Sequence, residues 1–130
     1  MSDRIVLAGI VAEGRHGVHD WERESRQPFV VDVELSLDLR PAGLADDLAL
    51  TVDYSAVARR VREMVETRSV GLIEALAEAI ASALLAEWEV VDEVVVRVRK
   101  PAVIDAGAPD GPMVEIRRRY ASGRPPRASD

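Results

Sequence analysis

The sequence predicts an α+β domain in which an antiparallel sheet carries two helices on one face. Apolar and polar residues alternate from Gln27 to Leu39, which is the pattern of a strand with one packed face. The apolar spacing then becomes helical over two consecutive segments and returns to strand-like, valine-rich runs near the C-terminal end. The resulting order is ββααββ, and strands grouped apart from helices are typical of the α+β class.

The first two predicted strands lie in the N-terminal third of the chain. Arg4–Glu13 is apolar and rich in β-branched residues, and the glycines at positions 14 and 17 end it. The second strand begins at Gln27, and its side chains separate into two faces. The packed face consists of Phe29, Val31, Val33, Leu35, Leu37 and Leu39, and the polar face of Val30, Asp32, Glu34, Ser36 and Asp38.

Two helices follow a predicted loop at Pro41–Asp47. Asp53 is a favourable N-cap for the first helix, which begins at Tyr54. The second helix is expected to start near Ser69 or Gly71. The predicted apolar stripes are Val57, Val61, Met64 and Val65 in the first helix, and Leu72, Leu76, Ile80 and Leu84 in the second.

The C-terminal part of the chain contains two further predicted strands, Val91–Arg99 and Pro112–Arg119. We therefore expect residues 1–119 to form one domain and Tyr120–Asp130 to be a flexible tail. An open sheet has exposed edges and an uncovered face, which favours pairing with other copies. The sequence thus predicts a homo-oligomer in which sheet edges meet to form a ring.

The composition excludes several classes of function. The chain has 130 residues with 48% hydrophobic and 31% charged residues, as in soluble globular domains. It has no cysteine, so disulfides, thiolate metal sites and cysteine nucleophiles are excluded. A net charge of −6 argues against nucleic-acid binding. Because neither a signal peptide nor an apolar stretch of membrane-spanning length is evident, we expect a cytoplasmic protein that does not bind membranes.

Lys100 is the only lysine in the chain, although lysine and arginine together number 17. Arginine cannot be deprotonated in a protein, whereas a desolvated ammonium group can release a proton and take it back. A single lysine between a predicted strand and Pro101 therefore suggests a position at which proton transfer is needed. The alternative is an ordinary exposed lysine.

Motifs for metal, phosphate or nucleophilic chemistry are weak. His16 and His19 lie beside Asp20 and Glu22, but their spacing matches no metal-binding motif, and we expect loop histidines making ordinary hydrogen bonds. No Gly-x-Ser-x-Gly elbow or phosphate-binding glycine loop is present in the sequence. Neither hydrolysis by a serine nucleophile nor nucleotide binding is supported.

Glu22, Tyr54 and Glu74 join Lys100 as candidates because each falls near the end of a predicted element. Taken one at a time, each has an ordinary structural explanation. Glu74 lies in the first helical turn, where the helix dipole favours a carboxylate. Tyr54 can pack beside a helix start, and Glu22 can be solvated beside Arg23.

Taken together, these segments resemble the dihydroneopterin aldolase family of folate biosynthesis. The resemblance covers residues 3–118. It is carried by residues 15–23 (RHGVHDWER) with Gln27 following, Asp32, residues 46–48 (DDL), residues 51–54 (TVDY), residues 72–77 (LIEALA) and Lys100–Pro101. It implies the tunnelling fold, assembly into a ring, and cleavage of 7,8-dihydroneopterin into 6-hydroxymethyl-7,8-dihydropterin and glycolaldehyde, with no cofactor, metal or Schiff base.

The resemblance also implies roles for individual residues. Glu74 would anchor the pterin substrate, with backbone groups near Val52 and Ile73 completing that edge. Lys100 would be the general acid and base, Tyr54 would relay a hydroxyl proton, and Glu22 would hold the substrate tail or tune Lys100. The site would lie between subunits of a tetramer or octamer, so that Tyr54 comes from the neighbouring copy.

Some positions depart from the family pattern, among them His19, Ala75 and the Val70–Gly71 segment, none of which removes a catalytic group. Two alternatives stay open at the level of sequence. One is an epimerase of the same fold that inverts the 2′ carbon of dihydroneopterin or its triphosphate. The other is a ring protein that binds pterin without catalysis.

Overall fold

The computed structural model describes residues 3–103 and 107–119. The expected flexible tail, Tyr120–Asp130, lies outside the described residues. The strands are β1 (Arg4–Gly14), β2 (Gln27–Ser36), β3 (Glu93–Arg99) and β4 (Met113–Arg119). The α-helices are α1 (Asp20–Glu24), α2 (Arg40–Ala45), α3 (Tyr54–Thr67) and α4 (Ile73–Glu87), and a 3₁₀ turn spans Leu48–Leu50. No helix in this described part is long and apolar enough to cross a membrane.

The four described strands form one antiparallel sheet in the order β1-β2-β3-β4. Val33 of β2 pairs with Leu7 of β1 on one side and with Val96 of β3 on the other. The predicted α+β class with an antiparallel sheet is confirmed. The second strand was predicted to reach Leu39 but ends at Ser36, after which Leu37 is still buried and Leu39 only half-buried.

A bulge in β1 keeps its apolar residues on the helix-covered face. The register shifts between Leu7 and Ile10, and Gly9 adopts a left-handed φ of 74° at this point. Its N–H donates a hydrogen bond to Asp32 Oδ1 on β2 at 2.8 Å. Because the extra residue reverses the alternation, both Leu7 and Ile10 point toward the core.

Helices α3 and α4 pack on the same sheet face and enclose the core. Helix α3 lies against β1, whereas α4 lies against β3 and β4. The Asp53 side chain caps α3 as predicted, accepting hydrogen bonds from the N–H groups of Ser55 and Ala56. The predicted stripe of α3 is fully buried, and each such aliphatic side chain contributes about 1.5–3 kcal/mol by leaving water. Leu72 was predicted to belong to the buried stripe of α4, but it precedes the helix and is exposed.

The ββααββ order omits three short helical segments. Pro41–Asp47, predicted to be a loop, contains most of α2, because Pro41 near the helix start fixes φ at a helical value. Asp46, at φ 51°, ends that helix, and the 3₁₀ turn follows. The histidine-containing segment after β1, interpreted as a loop, includes α1 at Asp20–Glu24.

Charged side chains cover the sheet face opposite the helices. Glu34 is buried there between Arg97 of β3 and Arg4 of β1. The hydrogen bond from Arg97 is the main cause of a lowered pKa of the Glu34 carboxyl, despite its burial. This face is therefore ordered by ion pairs, while the hydrophobic core cluster lies on the helix side.

Candidate active site

A cavity of about 530 Å³ opens where the ends of β2 and β3 meet α1 and the start of α4. Its lining combines apolar side chains with a small number of polar and charged ones, as in many small-molecule sites. The lining residues are Val18, His19, Trp21, Glu22, Gln27, Gly71, Leu72, Ile73, Glu74, Lys100, Ala102, Val103, Pro112 and Val114.

A buried ion pair between Lys100 and Glu22 forms part of the cavity wall. Lys100 follows the last residue of β3, and its Nζ donates a hydrogen bond to Glu22 Oε2. Glu22 Oε1 accepts a second hydrogen bond from the backbone N–H of His19 at 3.2 Å. The hydrogen bond from Lys100 is the largest cause of a lowered pKa of the Glu22 carboxyl, which burial alone would raise. Glu22 is therefore a carboxylate at neutral pH.

The backbone before α1 is shaped to bring Glu22 into the site. A Cβ atom at Gly17 would lie 2.5 Å from both Cβ and Cδ of Glu22, so only glycine leaves room for that side chain. The Arg23 guanidinium donates hydrogen bonds to the carbonyls of Gly17 at 2.7 Å and Val18 at 2.9 Å. These contacts fix the turn from which the Glu22 carboxylate reaches Lys100.

The backbone of Lys100 is held just as closely. Its N–H donates to the carbonyl of Pro112 at 3.0 Å, and its carbonyl accepts from the N–H of Val103 at 3.3 Å. Gly111 adopts a φ of 80° and packs against this carbonyl, so that a Cβ there would lie 2.2 Å from the Lys100 oxygen. The backbone at Lys100 is therefore tightly held at the edge of the cavity.

Glu74 lies in the first turn of α4 and lines the same cavity. Its side chain is exposed, and no hydrogen-bond donor or cation of the described residues contacts the carboxylate. Next to it, Ile73 is half-buried and also lines the cavity. The N–H groups of Ile73 and Glu74 have no acceptor among the described residues, whereas the N–H of Ala75 donates to the Leu72 carbonyl at 3.1 Å. A ligand can therefore find a free carboxylate and free donors side by side.

His16 joins the segment that precedes α1 to the segment that precedes α4, and these two helices carry Glu22 and Glu74. It is fully buried, its ring packs edge-on against Phe29 with centroids 5.0 Å apart, and Nε2 lies 2.8 Å from the Val65 carbonyl. Nδ1 accepts a hydrogen bond from the N–H of Val70 at 3.2 Å. This pattern requires the neutral ring with its proton on Nε2, and burial is the main cause of a lowered pKa of His16. The hydrogen bonds expected for His16 are thus present within the protein.

The structure brings together four of the predicted site residues, namely Glu22, Ile73, Glu74 and Lys100. Tyr54 and Val52 do not line this cavity. Tyr54 is the first residue of α3 and is exposed, whereas Val52 is buried ahead of that helix. The arrangement within one chain therefore contains the charged groups but not the tyrosine.

An aromatic pair at the cavity rim was not singled out from the sequence. The rings of His19 and Trp21 stack with centroids 5.9 Å apart and an interplanar angle of 7°. Trp21 is exposed even though it lines the cavity. In the sequence, a tryptophan next to Glu22 could have suggested an aromatic contact with a ligand. Only the fold shows that the rings of His19 and Trp21 line the same cavity.

The fold and this cavity define a small α+β protein with a ligand site at one end of its sheet, built around a buried carboxylate–ammonium pair. The sequence model of the family described as "FolB: Dihydroneopterin aldolase" matches residues 5–117. The chain belongs to the dihydroneopterin aldolase family.

Individual relatives agree with this assignment. The dihydroneopterin aldolase of Streptomyces coelicolor is 52% identical over 99 residues, which cover 76% of this chain and 82% of the relative. The crystal structure of the Escherichia coli dihydroneopterin aldolase in complex with neopterin superposes with a TM-score of 0.82 at 32% identity, covering 89% of this chain and 98% of that one. A dihydroneopterin aldolase from Burkholderia thailandensis bound to guanine gives a TM-score of 0.73 at 27% identity, covering 91% of each chain.

Proposed function

We propose that this protein is a dihydroneopterin aldolase that cleaves 7,8-dihydroneopterin into 6-hydroxymethyl-7,8-dihydropterin and glycolaldehyde in folate biosynthesis. For a chain that belongs to this family, the proposal rests on one structural observation. A buried Lys100–Glu22 pair and an unpartnered Glu74 carboxylate line a single cavity of suitable size for a bicyclic ligand. The first group can move protons, and the second can bind the polar edge of a pterin.

Glu74 is proposed to anchor the substrate through its amino-pyrimidinone edge. A carboxylate accepts two parallel hydrogen bonds from a ring N–H and the adjacent amino group, as it does from an arginine fork. Neopterin and guanine, which relatives of this chain bind, both present such an edge. The free N–H groups of Ile73 and Glu74 at the start of α4 are suited to the neighbouring carbonyl oxygen. Backbone near Val52 would complete that edge in the assembled site.

The proposed reaction is a retro-aldol cleavage between the first and second carbons of the substrate side chain. The second carbon's hydroxyl loses its proton, its C–O bond becomes the carbonyl of glycolaldehyde, and the electrons of the broken C–C bond pass into the C=N bond of the ring. The resulting enol is then protonated at the first side-chain carbon. Because the substrate's own C=N bond accepts the electrons, the reaction needs neither a Schiff base nor a metal.

Lys100 is proposed to supply and remove the protons in this sequence. Its ammonium group is buried and donates a hydrogen bond to Glu22, which fixes its direction. Glu22 is proposed to balance the charge of Lys100 as protons move and to contact the substrate's hydroxyl groups. Tyr54 is proposed to relay the hydroxyl proton.

A second copy of the chain is proposed to complete the site. Tyr54 is exposed at the start of α3 and does not line the cavity of its own chain. Leu44, Leu48 and Leu50, in the segment that precedes it, are also exposed, as expected of a surface that a partner covers. We propose a cytoplasmic homo-oligomeric ring, a tetramer or octamer, in which Tyr54 reaches the neighbour's Lys100.

The test is to incubate the purified protein with 7,8-dihydroneopterin in the presence of a chelator and to separate the pterins by chromatography. We expect 6-hydroxymethyl-7,8-dihydropterin to form, and Lys100→Ala to abolish it. Formation of the 2′-epimer alone would indicate an epimerase instead. Absence of turnover with both the free and the triphosphorylated substrate would reject the enzymatic proposal.

A further inference from the structure

Three hydrogen bonds form a clamp between the segment that precedes α1 and the segment that precedes α4. The Val70 N–H donates to His16 Nδ1 at 3.2 Å, and the Val70 carbonyl accepts from the Gly17 N–H at 2.9 Å. Ser69 Oγ donates to the Arg15 carbonyl at 2.9 Å. The clamp therefore joins residues that are 54 positions apart in the sequence.

His16 is the one side chain of the clamp that is fully buried, and its ring is fixed from several sides. Its edge packs against Phe29, and Nε2 is held by the Val65 carbonyl at 2.8 Å. Gly14 leaves room for the ring, since a Cβ there would lie 2.7 Å from Nε2. A ring held in this way keeps Nδ1 directed at the N–H of Val70.

The two charged walls of the cavity both begin at the clamp. On one side, the chain runs from Gly17 into α1, where Glu22 pairs with Lys100. On the other side, it runs from Val70 to Glu74 in the first turn of α4. Glu22, Glu74 and Lys100 all line the cavity. The distance between the anchoring carboxylate and the ion pair therefore depends on how the two segments are held together.

We propose that His16 is a positioning residue that sets the distance between Glu74 and Lys100 through its hydrogen bond with Val70. The inference rests on the proposed function, in which a substrate anchored at Glu74 must present its side chain to Lys100. A displacement of about 1 Å between reacting groups can lower a rate about a hundredfold. His16 does not line the cavity, so it acts through the backbone that leads to Glu74.

The two ring nitrogens can be replaced one at a time. In His16→Asn, the amide oxygen can take the place of Nδ1 and accept from Val70, whereas the hydrogen bond to Val65 is lost. In His16→Gln, the longer amide can take the place of Nε2 and donate to Val65, whereas Val70 loses its acceptor. Both variants lose the packing of the ring, so the difference between them reports the Val70 hydrogen bond.

The first measurement is turnover of 7,8-dihydroneopterin by the two variants. We expect kcat to fall about tenfold or more in His16→Gln and to stay within about threefold of wild type in His16→Asn. Ser69→Ala removes an exposed hydrogen bond of the same clamp and is the matched control, with kcat unchanged. If His16→Gln did not fold, a loss of kcat beyond about threefold in His16→Asn would itself overturn the proposal.

The second measurement is the affinity for guanine, which has the polar edge of a pterin but no side chain. Guanine would be held by Glu74 without reaching Lys100, so its Kd should change by less than about threefold in both His16 variants. A loss of guanine affinity parallel to the loss of kcat would show that the pocket has collapsed, and this result would overturn the positioning role.

The third measurement tests the geometry without turnover. In crystal structures of the variants, we expect the distance from the Glu74 carboxylate to Lys100 Nζ to change by about 1 Å or more in His16→Gln and by less than about 0.5 Å in His16→Asn. An unchanged distance in both variants, or equal kcat values for the two, would overturn the role of His16. If wild type does not turn over dihydroneopterin, the proposed function fails, and this distance alone decides on His16.

Discussion

Lys100 and Glu22 are 78 positions apart in the sequence and form a buried ion pair in the cavity wall. Each side chain is less than a tenth exposed, so the pair is kept only because each charge offsets the cost of burying the other. A glycine lies beside each member of the ion pair. Gly17 leaves room for the Glu22 side chain, and Gly111 packs against the Lys100 carbonyl. The sheet therefore places the Lys100 ammonium group, the proposed proton carrier, in the wall of the cavity.

The first prediction concerns the single lysine. Lys100→Arg keeps the positive charge and can still pair with Glu22, but arginine cannot release its proton. We expect kcat to fall at least about a hundredfold while neopterin binding is retained, because general acid–base catalysis is lost. Stopped-flow or steady-state turnover of 7,8-dihydroneopterin, together with a fluorescence titration, measures both quantities.

The reverse exchange at the preceding residue is the control for that variant. Arg99 lies on the sheet face opposite the cavity, next to Met113. Arg99→Lys keeps the positive charge outside the cavity lining and should leave turnover within about twofold of wild type. Near-normal turnover by Lys100→Arg would remove Lys100 from the proton-transfer step.

The second prediction concerns the unpartnered carboxylate. Glu74→Ala removes the carboxylate proposed to accept two hydrogen bonds from the pterin, and we expect the Kd for neopterin to rise about tenfold or more. Isothermal titration calorimetry measures this change. Glu78→Ala, one turn further along α4, removes a carboxylate that pairs with Arg118 and does not line the cavity. The control should bind normally, and equal affinities for both variants would place the pterin elsewhere.

Much of the fold could be predicted from the sequence because its main elements follow local periodicity. The alternation in β2 and the apolar stripe of α3 are each encoded within one segment, and both appear in the structure. The short helices at Asp20–Glu24 and Arg40–Ala45 were missed because one or two turns are too short to show a helical repeat. The β1 bulge was also missed, and the hydrogen bond that Gly9 donates there joins it to Asp32 on another strand.

Less of the candidate site than of the fold could be predicted from the sequence. Lys100 stood out by composition, but Glu22 and Glu74 gained meaning only through their order and spacing in a family pattern. The supporting contacts depend on the fold, since His16 bonds to groups 49 and 54 residues away. The buried state of the Gln27 amide is likewise a property of the assembled sheet. Such long-range contacts leave no local pattern to detect.

The third prediction tests the close approach of Gly17 to Glu22. In Gly17→Ala, the new Cβ would lie 2.5 Å from two carbons of Glu22, so the carboxylate must move away from Lys100. We expect kcat to fall about tenfold or more, because small displacements of catalytic groups are costly, and stability to fall by about 1–3 kcal/mol. Kinetics and urea unfolding measure the two effects.

Gly43→Ala is the matched control for this substitution. No atom lies within 4 Å of a Cβ built at Gly43, and its φ is not positive. Alanine is also a better helix former, so α2 should not be weakened. If Gly17→Ala retained the turnover of this control, the close packing around Glu22 would not be needed for catalysis.

The last prediction is a pH dependence of stability that arises from His16. Burial lowers the pKa of this histidine in the folded state, so the folded protein favours the neutral ring more than the unfolded chain does. The stabilisation is fully present above the unfolded pKa of about 6.5 and is lost as the pH falls from there toward the folded pKa. Urea unfolding at about pH 7.5 and about pH 5.5 should therefore show a larger loss of unfolding free energy for wild type than for His16→Gln.

The only other histidine provides the control for that comparison. His19 is exposed and stacks on Trp21, so His19→Gln should lose as much stability on acidification as wild type. The packing lost in His16→Gln lowers the unfolding free energy at both pH values. The difference in unfolding free energy between the two pH values therefore reports the titration of the ring. Because the neutral ring accepts from the N–H of Val70, its protonation must break that hydrogen bond. If His16→Gln and His19→Gln lost equal stability on acidification, His16 would not be the group that titrates.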